Sequence, residues 1–216
     1  MQKKTRDNTL HVKAQWPVVQ IMDWESYVKD NPSYEGQRPP TEQEIRHMSW
    51  QAFVGGATGI LYYSYFDLVK MNHKTPVEER WKDIEKVTNE IWEYRHVILS
   101  IDEYDTIKYE ENEHIALKQW KYKDINYVAI VNLEREEQTF SIDLNKNDYE
   151  VDETLGLGEM KRDKNKLTFT MKPIDVMIVR FSENALPDDP TGESSSSASS
   201  IMMTLFIVML ILIDLF

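Results

Sequence analysis

Two near-continuous apolar runs occur near the start of the chain, at residues 16–24 and 59–65. Each run is short and ends in aromatic or polar residues. Strands that are buried on both faces have this composition, and they are typical of parallel sheets. The pattern therefore predicts two buried strands of one parallel sheet.

Helical spacing of apolar residues follows each of these strands. A capping box at residues 41–44 predicts a helix start, because the Thr41 hydroxyl can accept a hydrogen bond from the backbone N–H of Glu44. The apolar stripe that follows ends at the glycine pair 55–56, since glycine tolerates the left-handed conformation of a helix end. A second amphipathic helix is predicted over residues 77–99.

The order strand, helix, strand, helix leaves two architectures open. A closed βα barrel needs eight βα units, so these two units would form part of a barrel. The alternative is an open α/β sheet in which the aromatic residues at the strand ends only pack.

The chain changes after residue 100 to short strands separated by turn residues. Both faces are mostly apolar in residues 128–132 and 176–181, which suits the central strands of a β-sandwich. No catalytic cluster is visible in this region, and its predicted role is to pack against the preceding units. The predicted strands are 114–122, 127–133, 139–144, 166–171 and 175–181.

The end of the chain is a polar linker followed by an apolar segment. Residues 183–200 are rich in Pro, Gly and Ser, and residues 201–216 are almost wholly apolar. As a helix, the apolar segment would span about 24 Å, less than the roughly 30 Å of a hydrocarbon core. The pattern resembles a GPI-attachment signal with Ser194 as the lipid-attachment residue, or alternatively Gly192 or Ser195. A short single-pass or tail anchor is one alternative, and a buried core helix is another.

A GPI signal requires entry into the secretory pathway. Residues 1–13 contain no apolar segment of the kind found in a secretory signal. We therefore expect further sequence upstream of Met1, and we expect the protein at the extracellular face of the plasma membrane.

Charge and composition exclude several classes of function. The net charge of the 216 residues is −12, and no basic face is visible, so nucleic acid is not an expected partner. The absence of cysteine excludes disulfides and thiolate metal sites. The five histidines lack the spacing of a metal site, so neither a metal nor a cofactor is expected.

Three motifs follow one another in the first hundred residues: the strand motif P-V-x-x-Q, the helix start P-T-x-x-E and the strand motif G-A-x-G-I-x-Y-Y-S. In this order they resemble the end of a clan-A type TIM-barrel glycoside hydrolase. The resemblance covers about residues 14–100. It implies a partial TIM barrel of the last two βα units over 1–100. Together with the patterns of the later residues, the predicted fold is α/β plus all-β: this partial barrel, a small antiparallel β-sandwich over 101–182, the linker 183–200 and a C-terminal hydrophobic helix over 201–216. The matching residues are Pro17, Val18, Gln20, Pro40, Thr41, Glu44, Gly56, Ala57, Gly59, Ile60, Tyr62, Tyr63 and Ser64.

The resemblance also implies where catalytic carboxyl groups would lie. In such barrels the acid/base follows the fourth strand and the nucleophile follows the seventh, and the two groups are roughly 5–5.5 Å apart in retaining enzymes. The fourth strand is absent from this chain. If residues 17–23 are the seventh strand, Asp23 and Glu25 lie near its tip and are the catalytic candidates. Neither matches a family nucleophile motif, and the alternatives are a turn residue for Asp23 and a solvated carboxylate for Glu25.

The aromatic and polar residues at the predicted strand ends form the candidate substrate site. Sugar rings stack their C–H faces on Trp and Tyr, and sugar hydroxyls bind amides and carboxylates. The expected partner is therefore carbohydrate, and the alternative is packing without ligand contact. The candidate substrate-binding residues are Gln20, Trp24, Tyr63, Tyr65 and Asp67.

Two hypotheses of function follow. The first is a fragment of a surface-anchored glycoside hydrolase-like protein, of the retaining O-glycosidase class if complete, that acts on or binds carbohydrate and is inactive as this chain alone. The second is a non-enzymatic, membrane-anchored β-domain protein that serves as a binding or structural module.

Overall fold

The computed structural model describes residues 14–27, 29–70 and 75–188. The chain divides into two compact units, Met1–Leu186 and Pro187–Phe216. No helix among the described residues is long and apolar enough to cross a membrane. The predicted hydrophobic helix over 201–216 lies outside the described residues. The predicted boundaries at residues 100 and 182 stay predictions.

The first hundred residues contain a two-stranded parallel sheet and the helices that cover one of its faces. Strand β1 spans Val18–Gln20, strand β2 spans Leu61–Tyr63, and Gln20 pairs with Tyr63. Two short 3-10 helices, Trp24–Tyr27 and Pro32–Tyr34, follow β1. The α-helices are α1 (Glu42–Val54), α2 (Tyr65–Lys70), α3 (Val77–Glu93) and α4 (Arg95–Ile98).

The predicted helix start at residue 41 is confirmed. The Thr41 hydroxyl accepts from the Glu44 backbone N–H, and the Thr41 N–H donates to the Glu44 carboxylate. The predicted helix over 77–99 is divided in two at Tyr94. Tyr94 leaves the helical conformation and buries its ring against Trp50, with 5.5 Å between the ring centroids. That burial explains the break.

The prediction that both early strands are buried on both faces is wrong. Val19 and Ile21 are buried, and Ile21 packs with apolar residues of α1, α2 and α3. On the other face Val18 is 61% exposed and Tyr63 is 55% exposed. The reason is that helices cover only one face, and within the described part of the chain β1 and β2 pair only with each other. The described residues therefore form no closed barrel.

The region after residue 100 is built from antiparallel strands, as predicted. The sheets have the strand orders β4-β5-β10-β7 and β3-β6-β9-β8. The five predicted strands correspond to β4, β5, β6, β9 and β10, while β3, β7 and β8 were not predicted. The strands are β3 (Lys108–Tyr109), β4 (Ile115–Tyr122), β5 (Ile125–Asn132), β6 (Gln138–Asp143), β7 (Glu150–Leu155), β8 (Glu159–Asp163), β9 (Lys166–Met171) and β10 (Val176–Ser182).

The sheet β4-β5-β10-β7 is covered on both sides. One core joins it to the other sheet, and residues such as Ile130, Phe169 and Phe181 fill that space. A second core joins its other face to α1 and α4, where Trp50 and Tyr94 pack with strand residues. All residues of β5 and β10 are therefore buried, which explains why both strands are apolar on both faces.

Candidate functional site

The carboxyl ends of β1 and β2 bring the predicted site residues to one edge of the small sheet. The two strands run parallel, so their carboxyl ends lie side by side. Gln20 ends β1 and Tyr63 ends β2. The other predicted residues follow these strand ends along the chain: Asp23, Trp24, Glu25, Tyr65 and Asp67.

Asp67 is the most deeply buried of the predicted residues. It is 1% exposed, at the third position of α2. The Tyr27 hydroxyl donates to one oxygen of its carboxylate, and the Ser64 hydroxyl donates to the other. The Asp67 backbone N–H donates to the Ser64 hydroxyl oxygen at 3.1 Å. These bonds connect the segments after β1 and β2 through one carboxylate.

The Tyr27 hydroxyl is held in its protonated form. The hydrogen bond to Asp67, with burial as a second cause, raises the pKa of Tyr27 to about 12. Tyr27 is therefore a hydrogen-bond donor to Asp67 at neutral pH and cannot act as a base there.

Arg80 supplies a buried positive charge next to this network. Its side chain comes from the first turn of α3 and is 6% exposed, and one guanidinium nitrogen donates to the Ile21 carbonyl. The Nη1 atom is buried, and no hydrogen-bond partner for it occurs among the described residues. Burial lowers the pKa of Arg80, and the charges of Asp23 and Asp67 oppose that shift. The charge of Arg80 thus offsets the charges of the buried Asp23 and Asp67 carboxylates.

Asp23 and Glu25, the catalytic candidates, lie together after β1. Asp23 is buried, and its Oδ1 accepts from the Glu25 backbone N–H at 3.0 Å. That bond closes the turn at the start of the first 3-10 helix, which is the alternative role considered for Asp23. Gln20 donates from its side-chain amide to the Met22 carbonyl at 3.2 Å.

The aromatic residues divide between two places. The Trp24 ring lies 5.0 Å from the Tyr34 ring and 6.2 Å from the Tyr27 ring, and Trp24 is 37% exposed. The Tyr65 ring packs edge-on against Trp81 of α3 at 6.1 Å. Trp24 and Tyr34 therefore form one open aromatic surface, while Tyr65 is turned toward α3.

Four residues of the site were not predicted. The sequence could have indicated the burial of Arg80, because this charged residue lies on the same helical stripe as Ile84 and Val87. Tyr27 and Tyr34 lie in the aromatic loop after β1, where no periodicity marks one position over another. Ser64 matched a strand motif, and its contact with Asp67 depends on the turn into α2.

Two further predictions concern lipid and metal. Ser194, the predicted lipid-attachment residue, lies outside the described residues. Within residues 14–27, 29–70 and 75–188, no group of three or more His, Asp or Glu side chains is arranged to hold a metal ion.

Comparisons with known proteins give similarity only to solved structures. No family model matches the chain, and no curated protein matches it. An alpha-amylase from Geobacillus thermoleovorans complexed with acarbose has 14% identity and a TM-score of 0.46, covering 78% of this chain and 39% of its own. A β-L-arabinopyranosidase from Geobacillus stearothermophilus in complex with arabinose has 12% identity and a TM-score of 0.39, covering 70% and 34%.

An alpha-fucosidase from Thermotoga maritima in complex with fucose has 12% identity and a TM-score of 0.36, covering 76% of this chain and 39% of its own. The chain thus spans well under half the length of each of these structures. The family resemblance of residues 14–100 stays a prediction.

Proposed function

We propose that the chain binds carbohydrate at the carboxyl ends of β1 and β2. The observation that carries the proposal is the open Trp24–Tyr34 surface beside a buried carboxylate. Tyr27 joins the two parts, because its ring lies beside Trp24 and its hydroxyl donates to Asp67. The stacking surface is thereby held by a fixed polar network.

The chemistry of this surface fits a neutral sugar. Aromatic rings offer faces for the C–H side of a pyranose, and polar groups nearby serve its hydroxyls. The exposed Tyr63 ring lies at the same edge. A net charge of −12 opposes phosphate-rich partners.

The proposal extends to binding, not to hydrolysis by this chain alone. Both buried carboxylates already have structural hydrogen bonds, Asp23 in a turn and Asp67 with two hydroxyls. We propose that the two βα units are part of a glycoside hydrolase-like barrel, and that a complete active site needs further strands. The alternative is a non-enzymatic anchored β-domain, in which the two sheets that pack on each other would be the functional part.

Affinity electrophoresis in gels that contain neutral polysaccharides tests the binding. Trp24→Ala should be retarded less than the wild-type chain, because it removes the stacking surface of the strand-end site. Trp16→Ala is the matched control, since Trp16 is an exposed tryptophan whose ring lies against Gly59, on the amino side of β1 and β2. Equal retardation of the wild-type chain and Trp24→Ala would sink the proposal.

We also propose that the tail attaches the chain to the extracellular face of a membrane, through a lipid on Ser194. The sequence pattern supports this: small residues, a polar spacer and the apolar residues 201–216. Treatment of cells with a phosphatidylinositol-specific phospholipase should release the protein. A protein that stays on the membrane would instead favour a spanning helix.

A further inference from the structure

A cleft of about 340 Å³ lies away from the strand-end site. It is formed by the carboxyl end of α1 at residues 54–56, by the segment 104–109 and by residues 117–119 of β4. Its volume is at the lower end of the range of small-molecule pockets. The Thr58 backbone N–H donates to the Gln15 carbonyl at 3.1 Å, so the chain after α1 lies at the amino edge of β1 and β2. The candidate site described above is at the opposite edge.

The floor of the cleft is fixed by hydrogen bonds. The Gln119 side chain accepts from the Ile107 N–H at 3.4 Å and donates to the Asp105 carbonyl. The Asn126 amide accepts from the Asp105 N–H and donates to the Asp105 carboxylate, each at 3.0 Å. Ile107 itself is buried in the sandwich core. The segment between α4 and β4 is therefore held in place before any ligand binds.

Two tyrosines form the open side of the cleft. Tyr104 is 49% exposed and Tyr109 is 44% exposed. The Tyr109 ring is supported edge-on by Phe140 at 6.0 Å, whereas the Tyr104 ring packs on no other ring in the described part of the chain. Within that part, no hydrogen bond engages the hydroxyls of Tyr104, Thr106 or Tyr109. These three hydroxyls and the two rings are available to a ligand.

The charges in and near the cleft are of both signs, so they select neither a cation nor an anion. Lys118 lines the cleft and opposes a cation. Four exposed carboxylates flank the segment 104–109 along the chain and oppose an anion: Asp102, Glu103, Glu110 and Glu111. The apolar floor of Val54, Ile107 and Leu117 suits C–H groups, and the hydroxyls suit a polar ligand rim.

We propose that this cleft is a second carbohydrate site, which binds one or two neutral sugar units by stacking on Tyr104 and Tyr109. The cleft would bind the same class of ligand as the strand-end site, but it contains none of the residues of that site. An experiment can therefore show binding at one site and no binding at the other.

Titration calorimetry on the full chain tests the proposal. Neutral trisaccharides of glucose, galactose, mannose and xylose serve as probes. A zwitterionic detergent keeps the apolar tail in solution without offering a competing sugar head group. A probe that binds should occupy two sites on the wild-type chain. Tyr104→Ala should weaken one of them about tenfold, because a stacking ring is lost.

Matched variants separate the two sites. Tyr104→Phe keeps the ring and should retain most of the affinity, which excludes an unfolding effect. Trp24→Ala should leave the cleft site unchanged, and Trp24→Ala with Tyr104→Ala should abolish both. If Tyr104→Ala and Tyr109→Ala bind every probe like the wild type, the cleft proposal is overturned, whatever Trp24→Ala does. Loss of binding only in Trp24→Ala would overturn the cleft and retain the strand-end site.

Discussion

The Glu44 side chain joins three parts of the chain at the first turn of α1. It completes the capping box with Thr41. It also pairs with Arg38 at 2.6 Å and with Arg135 of the β5–β6 connection at 3.2 Å. The hydrogen bond from Arg38 is the largest cause that lowers the pKa of Glu44 to about 2. One carboxylate thus starts the helix and ties it to the sandwich.

This depressed pKa predicts a stability that depends on pH. Because the folded pKa lies below the ordinary value of 4.5, the contribution is present above pH 4.5 and is lost as pH falls toward 2. Arg38 and Arg135 are exposed, so screening limits the contribution to about 1 kcal/mol. Glu44→Gln keeps a capping-box acceptor but no charge. Its unfolding free energy in urea should be about 1 kcal/mol lower than that of the wild type at pH 7, with a smaller difference at pH 3.

Glu35→Gln is the control for this prediction, since Glu35 is exposed and its carboxylate has no pair in the described part of the chain. It should match the wild type at both pH values. If Glu44→Gln lowered the free energy of unfolding by the same amount at pH 7 and at pH 3, the ion pairs of Glu44 would contribute nothing to stability.

Between elements, Arg46 holds α1, α3 and β10 together. Its guanidinium binds the Glu90 carboxylate of α3 at 2.9 Å and the Val176 carbonyl of β10 at 3.0 Å. It lies 3.6 Å from the fully buried Asp175. The Trp50 ring N–H donates to the same Glu90 at 2.6 Å. Arg46 and Glu90 are mostly buried, so their charges depend on each other.

Arg46→Met should therefore destabilise the fold by about 3 kcal/mol, because it leaves two carboxylates without their cation. Lys86→Met is the matched control. Lys86 joins the same two helices through Glu42 at 2.7 Å, but both side chains are exposed, so solvent screens the pair and its loss should lower the stability far less than the loss of Arg46. Urea unfolding at pH 7 measures both. Equal losses in the two variants would mean that the burial of the Arg46 pair is irrelevant.

The elements also show how far the sequence determines the fold. The central strands β5 and β10 were predicted because both of their faces are apolar. Strand β8 at Glu159–Asp163 is a largely polar edge strand, so no alternation distinguished it from a loop. The break at Tyr94 depends on Trp50, a residue of another helix. Local pattern predicts elements, whereas edges and breaks depend on tertiary contacts.

The same limit applies to the candidate site. Parallel strand ends predicted that Gln20, Tyr63 and Asp67 would lie at one edge, and they do. Tyr27, one partner of Asp67, and the cation Arg80 come from segments that only packing brings together. The pattern thus predicted which residues lie together at this edge, but it did not predict the hydrogen bonds around them.

At the scale of the whole molecule, helices and sandwich share a core. Trp50 and Tyr94 lie in one cluster with side chains from β4, β5 and β10. Both faces of the sheet β4-β5-β10-β7 are therefore covered by other parts of the chain. The change of sequence pattern near residue 100 favours two domains. However, side chains before and after residue 100 pack in one core, so the stability of the sandwich depends on the helices.

This dependence predicts that residues 101–188 alone do not fold stably. Without α1 and α4, a set of apolar side chains loses its cover: Trp120, Tyr127, Val131, Val176 and Ile178. At about 1.5–3 kcal/mol for each buried side chain, the loss is about 10 kcal/mol, which is comparable to the whole stability of a typical domain. The fragment should bind a hydrophobic dye and show no cooperative urea transition, while a fragment of residues 14–188 should show one. A cooperative transition of the shorter fragment would instead support an independent domain that begins near residue 101.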